Sequence, residues 1–357
     1  MISIYRKEAG LSIVELMIAL LLASLLTLGL VQIFTSNSQT SRVNEASARV
    51  QESGRLASDI MARVIRNAAY WGCVNQSRLD SMLRDDQGFD VSRLMTGIIL
   101  EDSVAAGNAW DAVEGSDVLI LGGVETNAAL RTTEQTPTNA ATIFTGSPSN
   151  PMDPQPFFDD GDIVIISDCR LGDIFQATNV RKNGFTVNTG NGSGNPGNAR
   201  KNQNEYPAGA SVFRPSSAAY YVREDADGNR AFVMNPLQVR GTGATMGTQL
   251  GAVELVNDVR DMRIRLGLRA GTEAPDNATV DSWVESLGAG DDEEDVIAVQ
   301  FSLLARAPGN NVVDQPQSLC FPGWLDCETT PALRTTMPDN RLYREFTVTT
   351  GIRSRMP

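Results

Sequence analysis

An apolar run near the start of the chain constrains its fold more than any other feature. Residues 13–34 are apolar except for Ser24, Thr27, Gln32 and one charged side chain, Glu15. At about 1.5 Å per residue, a helix of this length crosses the ~30 Å hydrocarbon layer of a bilayer. A charged side chain inside such a helix costs roughly 2.5–3.5 kcal/mol on insertion scales, so Glu15 needs a functional reason. The sequence therefore predicts a membrane-spanning helix that carries one functional acid.

Residues 1–10 form a segment that is too short and too polar for an ordinary secretory signal, and they include the basic pair Arg6 and Lys7. A secretory signal has its apolar core before the cleavage site. Here the order is inverted, because the apolar run follows the hexapeptide Gly-Leu-Ser-Ile-Val-Glu of residues 10–15. Cleavage after Gly10 would leave the helix in the mature protein. The positive-inside rule places the basic pair in the cytoplasm and the residues after Thr35 outside it. The alternative is a signal anchor with an acid by chance.

The hexapeptide resembles the processing signal of type IV prepilins. This resemblance implies cleavage by prepilin peptidase between Gly10 and Leu11, which makes residues 1–10 a leader peptide, and N-methylation of Leu11. It also implies that Glu15 pairs with the N-terminal amine of a neighbouring subunit during assembly. A cation of this kind would stabilise a carboxylate in lipid. Gln32 lies near the position where many major pilins have a proline, which argues against a major subunit.

The predicted membrane-spanning helix segment covers residues 11–34. The chain after it is predicted to continue as an amphipathic helix over residues 35–72. Apolar residues repeat along it at steps of three, four and seven, which is typical of a helix with one buried face. This stripe comprises Val43, Ala46, Val50, Ala57, Ile60, Val64 and Ala68. Gly54 weakens the helix by up to about 1 kcal/mol relative to Ala. We predict one helix from Ile13 to Tyr70 that packs on the chain's own β domain. A free-standing coiled coil is the alternative.

Beyond Cys73 the hydrophobic pattern changes to short runs that are rich in β-branched and aromatic residues. Several alternate apolar with polar side chains, as half-buried antiparallel strands do. The predicted strands are 97–100, 117–121, 162–166, 184–187, 219–222, 231–234, 261–266, 296–304 and 346–350. Residues 227–229 predict a hairpin turn, and residues 254–260 a helical turn. The predicted fold class is therefore α+β: a long N-terminal α-helix packed on a C-terminal antiparallel β-sheet domain, residues 73–357, with long loops.

Composition excludes several classes of function. The formal net charge is −13, which disfavours direct binding of nucleic acid because that requires basic patches. No histidine is present, so histidine-based catalysis and histidine-ligated metals are excluded. No catalytic residue, metal or cofactor is predicted. An anchored enzyme, the alternative class, would need a carboxylate pair or a Ser–Lys site, and no motif indicates one. The acidic residues 225–229 and 291–295 are interpreted as a hairpin turn and a solvated loop rather than calcium sites.

Four cysteines lie beyond the apolar run: Cys73, Cys169, Cys320 and Cys327. An even number in an exported domain predicts structural disulfides, and four cysteines allow three pairings. The turn-rich stretch between Cys320 and Cys327 favours a bond that closes this small loop. That choice leaves Cys73 to pair with Cys169.

Several segments resemble the PilW family of minor pilins. They are Gln39–Thr40, Val50–Arg55, Ala69–Cys73, Ser167–Cys169, Ile174–Thr178 and the tail Tyr343–Arg355. The resemblance implies a low-abundance subunit that primes type IV pilus assembly and lies in or near the tip complex. Its implied partners are prepilin peptidase, other minor pilins, the major pilin and a tip adhesin, and the pilus would support twitching motility, adhesion or DNA uptake.

The resemblance also implies a location. The protein would be inserted in the inner membrane with a periplasmic C-terminal domain, and would later lie at the pilus tip on the cell surface. A minor pseudopilin of the type II secretion pseudopilus tip is the alternative, because it has the same signal, helix and β domain.

Overall fold

The computed structural model describes residues 12–72, 74, 78–84, 97–147, 150–151, 154, 157–189, 196–238, 248–269, 279–288 and 290–356. This part of the chain contains one α-helix, α1 (Ile13–Asn67), and the following strands: β1 (Leu79–Ser81), β2 (Ile98–Glu101), β3 (Val118–Arg131), β4 (Thr142–Phe144), β5 (Gly146–Ser147), β6 (Asn150–Pro151), β7 (Ile163–Ser167), β8 (Gly172–Gln176), β9 (Asn179–Arg181), β10 (Gly184–Thr186), β11 (Ser211–Glu224), β12 (Arg230–Pro236), β13 (Val253–Asn257), β14 (Val259–Arg269), β15 (Val280–Val284), β16 (Val296–Arg306), β17 (Ser318–Cys320), β18 (Arg334–Thr336) and β19 (Tyr343–Gly351). Short 3-10 helices cover Glu293–Asp295, Pro331–Leu333 and Arg353–Arg355. The long helix and the antiparallel sheets confirm the predicted α+β class.

Helix α1 has 55 residues and is about 82 Å long at 1.5 Å per residue. It ends at Asn67, three residues before the predicted end at Tyr70. The cause is local: Ala68 is extended, and Ala69 has a φ of 55°, which is left-handed backbone. The N–H of Ala69 donates to the carbonyl of Gly122 in β3 at 2.8 Å. The sheet therefore supplies an acceptor outside the helix at the point where the helix ends.

The second half of α1 packs on the β domain. This confirms the predicted packing and excludes the alternative, a free-standing coiled coil. Its buried residues are Ala46, Val50, Gly54, Ala57, Ser58, Met61 and Ile65. The predicted stripe is correct at Ala46, Val50 and Ala57, and again at Ala68, which is buried in the core just after the helix. It is shifted between Ala57 and Ala68, because Met61 and Ile65 are fully buried whereas Ile60 and Val64 pack only partly against the core. The contact follows steps of four along the helix, the ridge that most often packs in globular proteins.

The larger sheet has eight strands arranged around the long strand β11. Strand β3 runs antiparallel along one edge of β11, and β2 pairs with the first part of β3. The other edge of β11 pairs first with β7 and then with β12. Strands β8 and β1 continue the sheet beyond β7, and β13 continues it beyond β12. The turn at residues 227–229 joins β11 to β12 as predicted, since the carboxylate of Asp225 accepts from the backbone N–H groups of Asp227 and Asn229.

The second main sheet has the order β15-β14-β16-β19, and α1 packs against β14, β16 and β19. Smaller sheets are formed by β4-β10-β9, β17-β18 and β5-β6. The predicted helical turn at residues 254–260 is wrong. Strand β13 occupies the first part of this segment, Asp258 turns the chain with a φ of 63°, and β14 begins at Val259. The backbone of β13 is paired with β12, so pairing with a strand from another part of the chain determines the structure of this segment.

Asp117 joins the two main sheets. Its backbone N–H donates to Met262 of β14 at 3.1 Å, and its carboxylate accepts from the N–H of Ile264 at 2.6 Å and from Arg263 at 3.3 Å. The side chain is buried, and burial raises the pKa of Asp117 to about 7 although these donors act in the opposite direction. One carboxylate thus holds β14 against the start of β3.

The contact between Gly54 and Phe346 generates the first prediction. A Cβ added to Gly54 would overlap the Phe346 ring of β19. Gly54→Ala should therefore destabilise the protein by about 1–3 kcal/mol through overpacking, although alanine is the better helix former by up to ~1 kcal/mol. Thermal unfolding in detergent micelles measures the change.

Gly29→Ala is the matched control, because nothing lies within 4 Å of a Cβ at Gly29. Combining Gly54→Ala with Phe346→Leu should recover stability. A Gly54→Ala protein as stable as the wild type would contradict this packing.

Candidate assembly helix and its attachment

The N-terminal end of α1 is capped by Ser12. Its backbone is extended, and its Oγ accepts from the N–H of Val14 at 3.3 Å. Glu15 lies in the first turn, where the partial positive charge of a helix N-terminus favours a carboxylate. The side chain of Glu15 is exposed. The apolar run therefore carries its one acid at its N-terminal end, where the side chain is available to a group outside the chain.

We refer to residues 13–34 as the apolar segment. Every residue in it is exposed, and its large hydrophobic side chains have exposed fractions between 52% at Leu16 and 81% at Ile13. This part of α1 is long and apolar enough to span a membrane. An exposed apolar surface of this size marks a site of contact with lipid or with other protein.

The hydroxyl groups of the apolar segment are satisfied within the helix. Ser24 Oγ donates to the carbonyl of Leu21 and Thr27 Oγ1 to that of Ala23, both at 2.8 Å. In a medium without water, polar groups must find such internal partners. Glu15 lies on the same segment but differs from these hydroxyl groups, because its side chain is exposed.

The second half of α1 is attached to the four-stranded sheet along its length. Gln39 Nε2 donates to the carbonyl of Val312 at 3.0 Å. Ala46 and Val50 pack in a cluster with Ala305 and Ala307, which lie in and just after β16. Further along, Ala57, Met61 and Ile65 belong to the largest buried cluster of the described chain, whose members come from both main sheets: Leu119, Tyr220, Phe232, Met262, Ile264, Val299 and Phe301.

The end of α1 is held by the last turn of the chain. Ser354 Oγ donates to the carbonyl of Ala68 at 2.9 Å. The Arg355 guanidinium pairs with the Glu293 carboxylate at 2.6 Å and also donates to the carbonyl of Val296 at 3.1 Å. The same carboxylate accepts from the N–H of Ile98 in β2 at 2.7 Å. We call Ile98, Glu293, Ser354 and Arg355 the helix-end clamp, because together they tie the helix end to both main sheets.

The predicted site residues differ in what the structure says about them. Gly10, Leu11 and Cys73 lie outside the described residues, so the cleavage, the methylation and the Cys73 pairing stay predictions. Glu15 is on the exposed apolar segment. Cys169 is disulfide-bonded, and its pairing with Cys73 stays a prediction.

The predicted Cys320–Cys327 bond is confirmed, with a Cα–Cα distance of 5.9 Å. It closes a loop that contacts the four-stranded sheet, since the N–H of Gly323 donates to Ser302 Oγ of β16 at 3.1 Å. There Trp324 and Trp283 each place a ring centroid 5.0 Å from the guanidinium of Arg265, so aromatic rings flank this arginine.

The interpretation of residues 291–295 as a solvated loop is wrong at Glu293, which is part of the helix-end clamp. Its carboxylate is only 15% exposed. In the described part of the chain, no group of three or more Asp, Glu, Cys or His side chains is placed to hold a metal ion.

The comparison with known families is informative about the β domain. A model of the family "Type IV Pilus-assembly protein W", PilW, matches residues 219–354. This match supports PilW family membership. The matched region runs from the β11–β12 hairpin through the four-stranded sheet to Ser354 of the clamp, and it does not include α1. The PilW assignment and the apolar segment with Glu15 are therefore independent observations. A search of curated proteins finds no match to the chain.

The helix-end clamp generates the second prediction. The Arg355 side chain is 7% exposed and its partner Glu293 15%, so removing the cation leaves a carboxylate that is largely buried. Arg355→Ala should lower the free energy of unfolding by about 3 kcal/mol, within the range for broken buried ion pairs. Denaturant unfolding in detergent micelles measures it.

Arg353→Ala provides the control, because Arg353 is exposed and lies in the same 3-10 helix. Its effect should stay within about 0.5 kcal/mol. Equal losses for the two variants would show that the clamp does not hold the helix end.

Proposed function

We propose that this chain is a minor pilin that primes type IV pilus assembly and lies in or near the pilus tip complex. The observation that supports this most is the PilW match in a chain whose α1 leaves its apolar segment uncovered. The role is structural. Other subunits or lipid would cover the apolar segment, and the attached β domain would be displayed outside the membrane.

Before assembly, the apolar segment would lie in the inner membrane with the β domain in the periplasm. Prepilin peptidase would cleave between Gly10 and Leu11, and Leu11 would be methylated. The apolar segment would then pack against those of other minor pilins and the major pilin. In that water-poor environment Glu15 would pair with the N-terminal amine of a neighbour, since an uncompensated carboxylate there is costly.

The β domain would act as the tip-facing part of the subunit. Because the second half of α1 is packed on the four-stranded sheet and its end is held by the clamp, the helix and this sheet would enter the filament as one unit. Contacts made by the β domain with other tip subunits, a tip adhesin among them, would then be set by how its helix packs.

The third prediction tests Glu15. A chromosomal Glu15→Leu variant keeps the segment apolar but removes the charge that would dock it. We expect surface pili to fall more than tenfold, towards the level of a gene deletion, because losing one partner of a buried ion pair costs about 3–5 kcal/mol. The variant protein should accumulate in the membrane at wild-type level. Pili are counted by electron microscopy and by quantifying sheared filaments.

Glu45→Gln is the matched control, because Glu45 is an exposed acid on α1 that pairs with Arg49 outside the apolar segment. It should leave piliation unchanged. Normal piliation in both the deletion and Glu15→Leu would contradict the proposal. Normal piliation together with a loss of protein secretion would instead indicate a pseudopilin.

A further inference from the structure

Gln32 is a polar side chain on the apolar segment that the proposed docking of Glu15 leaves unexplained. The segment has four polar side chains, Glu15, Ser24, Thr27 and Gln32. The hydroxyl groups of Ser24 and Thr27 donate to carbonyls of their own helix, and Glu15 has its proposed partner in a neighbouring subunit. Gln32 is therefore the one polar side chain of the segment that still needs a partner.

The amide of Gln32 is open to groups outside the chain. Its side chain is exposed, and no hydrogen bond joins its Oε1 or Nε2 atom to any residue that the structure describes. The hydroxyl of Thr35 donates to the backbone carbonyl of Gln32 at 3.0 Å rather than to its side chain. A Gln amide has two N–H donors and a carbonyl acceptor, and all of them are available to a neighbouring molecule.

The spacing of Glu15 and Gln32 matches the thickness of a bilayer. The two residues are 17 positions apart in the sequence, which is about 26 Å along a helix at 1.5 Å per residue. The hydrocarbon layer of a bilayer is about 30 Å thick. With the apolar segment inserted in a membrane, the two polar side chains would therefore lie near opposite surfaces, where they reach water and headgroups. The membrane-inserted state thus accommodates both.

Packing of the apolar segment in a filament would remove this accommodation. The apolar helices of neighbouring subunits would surround the segment, and the two bilayer surfaces would no longer hydrate its polar side chains. A polar group without a hydrogen bond in a water-poor environment is costly. Glu15 would then need a cation, and Gln32 would need hydrogen-bonding groups on a neighbouring helix. Gln side chains hydrogen-bond across packed apolar helices in this way.

We propose that Gln32 is a second positioning residue of the apolar segment, and that its amide hydrogen-bonds to the apolar helix of a different filament subunit. The partner group is a side-chain hydroxyl, a side-chain amide or a backbone carbonyl of that helix, because the Gln amide both donates and accepts. Glu15 and Gln32 together fix the segment at two points about 26 Å apart, so the register against neighbouring helices is set at both ends. This inference rests on the proposed function, which supplies the neighbouring helix.

Photo-crosslinking of the full chain in living cells tests this contact. Leu28 lies one turn before Gln32 on the same helix face and is 67% exposed, so benzoylphenylalanine in place of Leu28 reacts with whatever lies beside Gln32. Irradiation should give an adduct with another membrane-inserted subunit. Gln32→Met keeps the side-chain length and removes the amide. It should lower the adduct yield about threefold to tenfold, as expected for an interhelical hydrogen bond, while the amount of protein in the membrane stays unchanged.

Thr27→Val is the matched control, because it also removes a polar group from the apolar segment, but one that is satisfied within the helix. It should leave the adduct yield at the wild-type level. An unchanged yield in Gln32→Met, adducts with lipid only, or the same loss in Thr27→Val would overturn the proposal. If the only protein adduct joins two copies of this chain, the proposal is also overturned, since the partner is a different subunit.

The crosslinking experiment and the piliation assay fail independently. Loss of pili in the gene deletion, together with an adduct that does not depend on Gln32, would remove only this positioning role. Normal pili in the deletion, together with an adduct that depends on Gln32, would remove only the pilus role.

Discussion

The apolar surface of residues 13–34 has to be removed from water by something outside the described β domain. Burying apolar surface is worth about 25 cal/mol per Å², and the large side chains of this segment are all more than half exposed. In the proposed role, lipid before assembly and neighbouring helices after it would both satisfy this requirement. Glu15 would add a condition, because a carboxylate in a water-poor environment is costly unless a cation lies beside it. One helix would then serve as membrane anchor and as assembly element in turn.

The second half of the same helix connects the apolar segment to the β domain. Packing of α1 on β14, β16 and β19 continues to Ile65, and the helix-end clamp holds the chain where the helix stops. The region that matches the PilW family includes these three strands. The family-matched β domain therefore supplies the surface on which the helix is fixed. In the proposed filament, this attachment would allow helix packing to position the domain.

The sequence was sufficient for features that depend on local pattern. The apolar segment, the amphipathic continuation, most strands and the Asp225–Asn229 turn follow from periodicity and turn chemistry, and the Cys320–Cys327 bond follows from a short turn-rich spacing. The features that it did not predict depend on distant partners. The sequence indicates only that Gly54 weakens the helix, whereas in the structure the ring of Phe346 lies against it. The sequence predicts that Glu293 is solvated, whereas its side chain pairs with Arg355, which is 62 residues away. The strand in segment 254–260 was not predicted, because its pairing partner β12 lies in another part of the chain.

The most direct test of the account is the N-terminal chemistry of the membrane-extracted protein, measured by intact mass with and without prepilin peptidase. The account predicts a mature chain that begins at methylated Leu11 when the peptidase is present, and an uncut chain that begins at Met1 when it is absent. A chain that begins at Met1 in both samples would contradict it. In that case Glu15 would be an acid in a signal anchor, and the uncovered half of α1 would have to be explained by lipid alone.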